Sequence, residues 1–268
     1  MKQEILKALG ITGVVGSEIL CFDVIDSTNT YLRKAALDGA VDGTVVIADY
    51  QTAGRGRLER SFQSPAGKGI YLSVLLRPQL SPESLLPVTA LAGVAVCNAV
   101  EKVCGVRPGL KWPNDLVLGN RKLCGILAEM GMDADSGLPY LVLGVGLNVL
   151  QDTEDFSPEI REIATSLTIE LKRHVSRSAL AAAMIEELDQ MYAALKKGKT
   201  ESYLVAYRKD CVNLGKAVQL IGMDGLRESA EAVDVDETFG LVVQTSSGIK
   251  KTIRWGEVSV RGLYGYID

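Results

Sequence analysis

Apolar and polar positions repeat along the first part of the chain with the periods of helices and strands. Apolar residues on one side of a 3.6-residue repeat predict a short amphipathic helix over 2–9. Ser27 or Thr28 is placed to cap a second helix over 29–38, which Gly39 ends. Runs of β-branched and aliphatic residues predict strands over 18–24, 44–50 and 70–76.

The middle of the chain predicts long helices around a group of strands. Ser81-Pro82-Glu83 has the composition of a helix start and leads a long apolar helix to about residue 104. Helices are also predicted over 178–196 and 200–208. Four segments separated by Gly, Pro and Asn predict consecutive strands over 109–111, 114–118, 122–131 and 139–149. The last two are almost continuously apolar, so we expect them at the centre of a sheet.

The pattern changes near the end of the chain, where short alternating strands are separated by tight turns. These strands are predicted over 216–221, 228–235, 239–245, 250–255 and 257–261. Helices and strands before them do not alternate strictly, which argues against a doubly wound sheet. We therefore predict an α+β chain: helices on a mixed sheet over 1–211, then a small β-barrel or sandwich over 212–268, with the boundary near 210–213.

Composition excludes several classes of protein. Apolar residues make up 47% and charged residues 23% of the 268 positions, which is ordinary for a globular chain. The net charge of −4 and the lack of a long basic run argue against a nucleic-acid binder. No apolar stretch in the sequence reaches about 18 residues, and no signal sequence is evident, so we expect a cytoplasmic protein. The five cysteines are odd in number and lack Cys-x-x-Cys spacing, which favours reduced, buried thiols.

A single histidine, His174, restricts the chemistry further. It lies in a polar stretch, so we expect its side chain to be solvated. Because the sequence has no second histidine, a histidine-rich metal site is excluded, and an acid–base mechanism could use only this one histidine. Any catalysis then depends on Lys, Arg, carboxylates, backbone amides or Mg²⁺. That repertoire suits phosphoryl or nucleotidyl transfer, in which positioning and charge neutralisation dominate.

Several polar segments carry candidate chemistry. The first, directly after a predicted strand, places two glycines and two arginines together in Gln51-Thr52-Ala53-Gly54-Arg55-Gly56-Arg57. Glycines allow a ligand to approach the backbone, and arginines bind phosphate or carboxylate oxygens in a forked geometry. A solvated basic loop would give the same pattern. The sequence contains no P-loop motif.

Two lysine segments and one glycine segment follow. Lys111 and Lys122 lie at the edges of predicted strands, where they either meet an anion or form surface salt bridges. The segment from Gly144 to Asn148 lacks the third glycine of a dinucleotide fingerprint, since Val149 takes its place. Its two glycines still leave room for a ligand against a central strand.

The order of these segments resembles the biotin–protein ligase family over roughly residues 18–262. The motifs are Asp26-Ser27-Thr28-Asn29, the Gly-Arg-Gly-Arg loop, Lys111-Trp112-Pro113-Asn114-Asp115, Arg121-Lys122-Leu123-Cys124-Gly125-Ile126-Leu127, Gly144-Val145-Gly146-Leu147-Asn148-Val149 and, in the last domain, Gly256-Glu257-Val258-Ser259. The resemblance implies a class II synthetase-like catalytic domain followed by an SH3-like barrel. It implies a two-step reaction: biotin and ATP with Mg²⁺ give biotinoyl-AMP, and a lysine of a biotin carboxyl carrier protein then displaces AMP.

The resemblance also implies roles for individual residues. Catalytic roles fall to Lys122, Arg57 and Lys111. Biotin is expected to contact Ser27, Thr28, Asn29, Gln51, Arg55, Gly56, Arg57, Lys122 and Gly125. ATP is expected to contact Gly54, Arg57, Lys111 and Asn148. Asp115 has three alternatives: it orients a lysine, binds the metal or awaits the incoming amine.

Two features separate this sequence from other members of the family. Glu59 replaces a glycine of the usual loop, and it either pairs with Arg60 or Arg55 or weakens closure over the adenylate. Only 25 residues precede Asp26, too few for a helix-turn-helix and its wing, so the type without DNA binding is expected. The oligomer is expected to be a monomer or a homodimer.

The sequence leaves two alternatives to biotin ligation. A lipoate or octanoate ligase would share the architecture but should lack the Gly-Arg-Gly-Arg loop. A biotin-binding module without catalysis would be favoured by loss of Lys122 or Arg57, and both residues are present.

Overall fold

Seven strands form one mixed sheet. The computed structural model describes residues 2–10, 12–58, 60–133, 136–222 and 226–254, and the backbone of 258–262. The strands are β1 (Ile19–Ile25), β2 (Val45–Gln51), β3 (Gly69–Leu76), β4 (Gly109–Lys111), β5 (Asp115–Leu118), β6 (Arg121–Met132) and β7 (Pro139–Asn148). Their order is β1-β2-β3-β7-β6-β5-β4, in which β1 and β2 are parallel and the other neighbours antiparallel. The prediction that β6 and β7 are central is confirmed.

Helices cover both faces of this sheet. They are α1 (Lys2–Ala8), α2 (Thr28–Leu37), α3 (Pro82–Leu85), α4 (Val88–Cys104), α5 (Leu167–Leu171), α6 (Arg177–Lys196) and α7 (Glu201–Asp210). Successive side chains of a strand point to opposite faces of the sheet, which explains the two layers. Val46 and Val142 pack with α2, whereas Val45 and Leu143 belong to the main core with α4 and α6. Helix α5 and a short 3₁₀ turn at Thr153–Asp155 were missed by the sequence analysis because they span five and three residues.

The long helix predicted up to residue 104 is divided in two. Helix α3 ends at Leu85 and α4 begins at Val88. Pro87 has no N–H to donate to the preceding turn, so the hydrogen-bond ladder breaks there. Within the described residues, Pro82–Cys104 contains an 18-residue window that is apolar enough to cross a membrane, with a mean hydropathy of 1.5, so the expectation that no apolar stretch reaches this length is wrong. In the protein, 67% of that window is buried. Its apolarity therefore reflects a place in the core.

A second, antiparallel sheet follows near the end of the chain. Its strands are β8 (Lys216–Gly222), β9 (Arg227–Val235), β10 (Leu241–Thr245), β11 (Lys250–Ile253) and β12 (Val258–Gly262), ordered β11-β10-β9-β8-β12. The predicted α+β class, a mixed sheet with helices followed by a small SH3-like β unit, is confirmed. The boundary between 1–211 and 212–268 remains a prediction. Glu59 and the Gly256-Glu257 pair lie outside the described residues.

Trp112 joins the two sheets. Its backbone N–H donates to Asn213 Oδ1 at 2.8 Å, and its indole Nε1 donates to the carbonyl of Phe239 at 3.0 Å. Tyr207 packs edge-on against Phe239, with ring centroids 5.7 Å apart. Because Trp112 follows Lys111 directly, this junction also fixes a predicted site residue.

Substituting Asn213 should therefore destabilise the protein. Asn213→Ala leaves the buried N–H of Trp112 without its acceptor, and we expect the free energy of unfolding to fall by about 1–3 kcal/mol. Urea denaturation followed by tryptophan fluorescence measures the change. Gln219→Ala is the control. It removes an exposed hydrogen bond to Ser229 within the second sheet and should change the free energy of unfolding by less than about 0.5 kcal/mol. Equal effects of the two changes would argue against the junction.

Candidate active site

A cavity of about 300 Å³ lies where β6, β7 and the start of α2 meet the loop that follows β2. It is lined by eleven of the twelve predicted site residues: Ser27, Thr28, Asn29, Gln51, Arg55, Gly56, Arg57, Lys111, Lys122, Gly125 and Asn148. These residues come from five separate stretches of the sequence. The fold thus brings together the segments that the sequence analysis selected.

Gly54 is the predicted residue that does not line the cavity. It is buried behind the loop, where its carbonyl accepts from the N–H of Phe62 at 2.9 Å. A Cβ on Gly54 would lie 2.7 Å from Ser64 Oγ, so glycine is needed for packing. Its assigned contact with ATP remains a prediction.

The loop of residues 54–62 folds back on itself as a small hairpin. Besides the Phe62–Gly54 bond, the N–H of Gly56 donates to the carbonyl of Arg60 at 2.7 Å. Arg55 and Ser61 pair as an isolated antiparallel bridge. This folding directs Arg55, Arg57 and Arg60 to the same cavity.

Glycines on the two central strands form the floor of the cavity. Gly125 on β6 pairs in register with Gly146 on β7. The ring of Phe62 lies on them: a Cβ on Gly146 would be 2.6 Å from the ring, and one on Gly125 would be 3.4 Å from it. The absence of side chains therefore lets a flat group lie directly against the sheet.

A hydrogen-bonded network lines the side of the cavity at the start of α2. Ser27 caps the helix by accepting from the N–H of Thr30 at 3.4 Å, which decides between the two predicted caps. The Oε1 of Gln51 accepts from the N–H of Thr28 at 2.9 Å and lies 3.1 Å from its hydroxyl. The hydroxyl of Ser73 lies 2.7 Å from Thr28 Oγ1 and 2.6 Å from Asn29 Oδ1. These side chains are held before a ligand arrives.

Glu129 of β6 joins this network to the arginine loop. Its Oε2 accepts from Asn29 Nδ2 at 2.9 Å. Its Oε1 lies 2.9 Å from Arg55 Nη1 and 3.3 Å from Arg33 Nη1. No role was predicted for Glu129, Ser73 or Phe62, because no local motif marks side chains that act across strands.

Positive charge is concentrated in the cavity. Among the described residues that line it, five are cationic (Arg55, Arg57, Arg60, Lys111 and Lys122) and one, Asp115, is a carboxylic acid. Lys122 Nζ pairs with Asp115 Oδ1 at 2.6 Å. The side chain of Lys111 is buried, with only 5% of the residue exposed. Such an excess of positive charge favours an anionic ligand.

Arg57 is held deeper than a surface arginine. Its Nη1 donates to Asn114 Oδ1 at 3.1 Å, and Asn114 in turn donates through Nδ2 to the carbonyl of Ile126 at 2.9 Å. Burial lowers the pKa of the Arg57 guanidinium, and the nearby Asp115 opposes that change. An arginine side chain stays protonated in proteins, so Arg57 remains a donor for phosphate or carboxylate oxygens.

The opposite wall is more apolar and comes from the segment after β7. Phe156, Ile160, Ile163 and Ala164 line it. The N–H of Lys122 donates to the carbonyl of Ile163 at 2.7 Å, and the N–H of Thr165 donates to the carbonyl of Lys122 at 2.9 Å. The buried Asn148 donates through Nδ2 to the carbonyl of Thr165 at 2.9 Å and accepts from Gln151 Nε2 at 3.0 Å. This wall was not predicted, because its apolar residues resemble ordinary core positions.

Among the described residues, no cluster of three or more His, Cys, Asp or Glu side chains could hold a metal ion on its own. The five cysteines are free thiols, four of them buried, and His174 is exposed, as predicted. The five cations that line the cavity support chemistry on anionic substrates by charge neutralisation and positioning.

Comparison with known proteins agrees with this geometry. Residues 21–148 match the model of the Biotin/lipoate A/B protein ligase family. A biotin--[acetyl-CoA-carboxylase] ligase from Mycobacterium tuberculosis is 36% identical, covering 79% of this chain and 77% of that protein. The bifunctional ligase/repressor BirA of Bacillus spizizenii is 32% identical, over 90% of this chain and 73% of that protein.

Solved structures lead to the same family. A biotin protein ligase from Aquifex aeolicus, in complex with biotin and ATP, superposes with a TM-score of 0.78 at 28% identity, covering 92% of this chain and 99% of that one. Fold and site therefore define a protein of the biotin and lipoate ligase class. Within that class, the chain belongs to the biotin protein ligase family.

Two glycines of β7 should differ in how they tolerate a side chain. A Cβ on Gly144 would overlap Asn29 Oδ1, which Ser73 and Glu129 hold in place, whereas a Cβ on Gly146 would meet only the half-exposed ring of Phe62. We expect Gly144→Ala to lower the free energy of unfolding by about 1–3 kcal/mol, and Gly146→Ala to lower it less. Thermal and urea denaturation of both variants measure this difference. The reverse order would contradict the assigned packing.

Proposed function

We propose that this protein is an ATP-dependent ligase that activates biotin as biotinoyl-AMP and transfers it to a lysine of a biotin carboxyl carrier protein. The observation that carries the proposal is the cavity itself. It places five cations and one acid beside a glycine floor and a fixed polar network. The family membership supplies the class of reaction.

The first step joins two anions. An oxygen of the biotin carboxylate attacks the α-phosphorus of ATP, and the bond from that phosphorus to the bridging oxygen of the β-phosphate breaks, releasing pyrophosphate. Repulsion between carboxylate and triphosphate opposes this approach. Lys122, Arg57 and Lys111 would cancel that repulsion and stabilise the charge on the crowded phosphorus.

In the second step a carrier lysine completes the transfer. Its neutral amine attacks the acyl carbon of biotinoyl-AMP, the carbon–oxygen bond breaks, and AMP leaves with the electron pair while the amine loses a proton. The Lys122–Asp115 ion pair supports the orientation of a lysine as one role of Asp115, and binding of the metal, the second of the three alternatives, is compatible with it. An amide forms and AMP is the leaving group.

The two walls of the cavity suit the two substrates differently. Ser27, Thr28, Asn29 and Gln51 offer donors and acceptors to the ureido head of biotin, while Arg55 and Gly56 close over it and Gly125 lies beneath it. Asn148 fixes the segment that carries Ile160 and Ile163, an apolar surface suited to a nucleotide base. Gly54 would contribute to ATP binding indirectly, because its close packing holds the loop that carries Arg55 and Arg57.

Mg²⁺ fits this donor set when ATP is bound. Magnesium in nucleotide sites is held by one or two carboxylates together with phosphate oxygens and waters. Asp115, the one carboxylic acid among the described residues of the cavity, would hold it with the phosphates. Bound there, Mg²⁺ would neutralise charge on the phosphates and on pyrophosphate.

The partners we propose are biotin, ATP and the carrier domain, and the chain acts in the cytoplasm as a monomer or a homodimer. No repressor role is proposed. The chain carries a net charge of −4, which does not favour binding to DNA.

Transfer to a carrier is the direct test of the proposed function. The protein is incubated with ATP, Mg²⁺, labelled biotin and a purified carrier domain, and label should appear on the carrier. Pyrophosphate release with lipoate but not with biotin would instead identify a lipoate ligase. Biotin binding without pyrophosphate release would identify a binding module.

Lys122 should be required for the first step. Lys122→Met removes the charge but keeps most of the side-chain length, and we expect the rate of biotin-dependent pyrophosphate exchange to fall about 100- to 1,000-fold. Lys34→Met, at an exposed position of α2, is the matched control and should leave the rate unchanged. Near-normal exchange by the Lys122 variant would remove this lysine from the reaction.

The chain should not bind biotin-operon DNA specifically. A gel shift at physiological salt with competitor DNA, with and without biotin and ATP, is expected to show no specific complex. A complex that survives both salt and competitor would show that the protein is also a repressor.

A further inference from the structure

We propose that Glu129 is a positioning residue that holds Arg55 and Asn29 in their biotin-binding arrangement. The proposal rests on the proposed function, since it concerns the same cavity. Glu129 is not part of the Gly-Arg-Gly-Arg or lysine motifs. Its carboxylate nonetheless contacts the loop through Arg55 and the start of α2 through Asn29.

The contact with Asn29 determines which way the Asn29 amide faces. Because a carboxylate only accepts hydrogen bonds, Asn29 directs Nδ2 toward Glu129 Oε2, which lies 2.9 Å away. The carbonyl oxygen of Leu127 also accepts from Nδ2, at a longer distance of 3.5 Å, so Glu129 is the nearer of the two acceptors that fix the amide. Asn29 Oδ1 must then accept from the Ser73 hydroxyl, 2.6 Å away. Ser73 has one proton, so the Thr28 hydroxyl, 2.7 Å from it, must donate to Ser73.

Glu129 therefore sets the direction of a chain of hydrogen bonds that ends at Thr28. With the Thr28 hydroxyl donating to Ser73, Gln51 Oε1 keeps the backbone N–H of Thr28 as its donor, at 2.9 Å. Asn29 and Ser73 are almost completely buried, with 4% and 0% of their surface exposed, so water cannot substitute easily for a lost partner. The acceptors and donors offered to a polar ligand head depend on this direction.

The contact with Arg55 determines where the loop sits. Glu129 Oε1 lies 2.9 Å from Nη1 of the guanidinium, and Arg55 also lines the cavity. An arginine has five N–H donors, so the remaining ones stay available to an anion in the cavity. A guanidinium that an ion pair already holds in place loses less conformational entropy when a ligand carboxylate binds.

Arg33 provides an internal control within the same cluster. Its Nη1 also contacts Glu129 Oε1, at 3.3 Å, and its side chain is 51% exposed, compared with 42% for Arg55. Unlike Arg55, it does not line the cavity. Exposed ion pairs of this kind contribute little to stability. The proposed effect should therefore pass through Arg55 and Asn29 and not through Arg33.

The test compares kinetic constants of pyrophosphate exchange in Glu129→Gln and in wild type. The glutamine has the same shape, but one of its two terminal atoms donates, so it cannot accept from both Asn29 and Arg55. We expect the KM for biotin to rise about tenfold, as loss of one charged hydrogen bond implies, with kcat and the KM for ATP nearly unchanged. Arg33→Gln should leave all three constants unchanged.

A double variant separates positioning from a general effect on the fold. In Arg55→Gln, Glu129 has lost its loop partner, so adding Glu129→Gln should raise the KM for biotin by a smaller factor than it does in wild type. Equal factors in the two backgrounds would overturn the proposal. If Glu129→Gln fails to fold, Glu129→Asp takes its place, since it keeps the charge but shortens the reach, and it too should raise the KM for biotin.

The outcomes distinguish this inference from the proposed function. Absence of biotin-dependent exchange in the wild-type protein would refute the proposed function. Normal exchange in wild type with an unchanged or lower KM for biotin in Glu129→Gln would refute the role of Glu129 alone. A rise in the KM for biotin together with an equal rise in the KM for ATP would show a general disturbance of the site and would also overturn the proposal.

Discussion

The concentration of positive charge inside a partly enclosed cavity is the constraint on which the rest of the site depends. Removing a cation from water is costly, and here Lys111 is buried and Arg57 is partly buried. The protein offsets part of that cost with the carboxylate of Asp115 and the amide of Asn114. The remaining excess of charge favours a ligand that brings its own negative charge, which is the property of both biotin and ATP.

The glycines of β6 and β7 meet a second requirement, close approach to the sheet. Gly125 and Gly146 leave a bare floor on which the Phe62 ring now rests, and Gly144 admits the side chain of Asn29. A reacting carboxylate must be held in a narrow range of positions, and a sheet holds its backbone more rigidly than a loop does. The arginine loop after β2 is thus placed over a floor formed by the sheet.

Glu129 shows how the loop and the floor are connected. It lies on the same strand as Lys122 and Gly125, yet it contacts Arg55 on the loop and Asn29 on α2. A change at one of these elements is therefore felt at the others through one carboxylate. Such coupling would suit the proposed reaction, in which biotin and ATP are bound at the same time.

The sequence by itself determined the elements and the chemistry of the site. Strand and helix periods located β1 to β7 and the alternating strands of the small sheet, because burial on one face fixes those periods. Ordered motifs selected eleven residues that line the cavity, although their individual roles remain predictions. The tertiary structure alone decided which side chains from different elements contact one another. Examples are Phe62 on the glycine floor, the wall from Phe156 to Ala164, and Glu129 beside Arg55. These contacts join residues as many as 100 positions apart, as between Asn29 and Glu129, and no local pattern records which side chains a sheet will bring together.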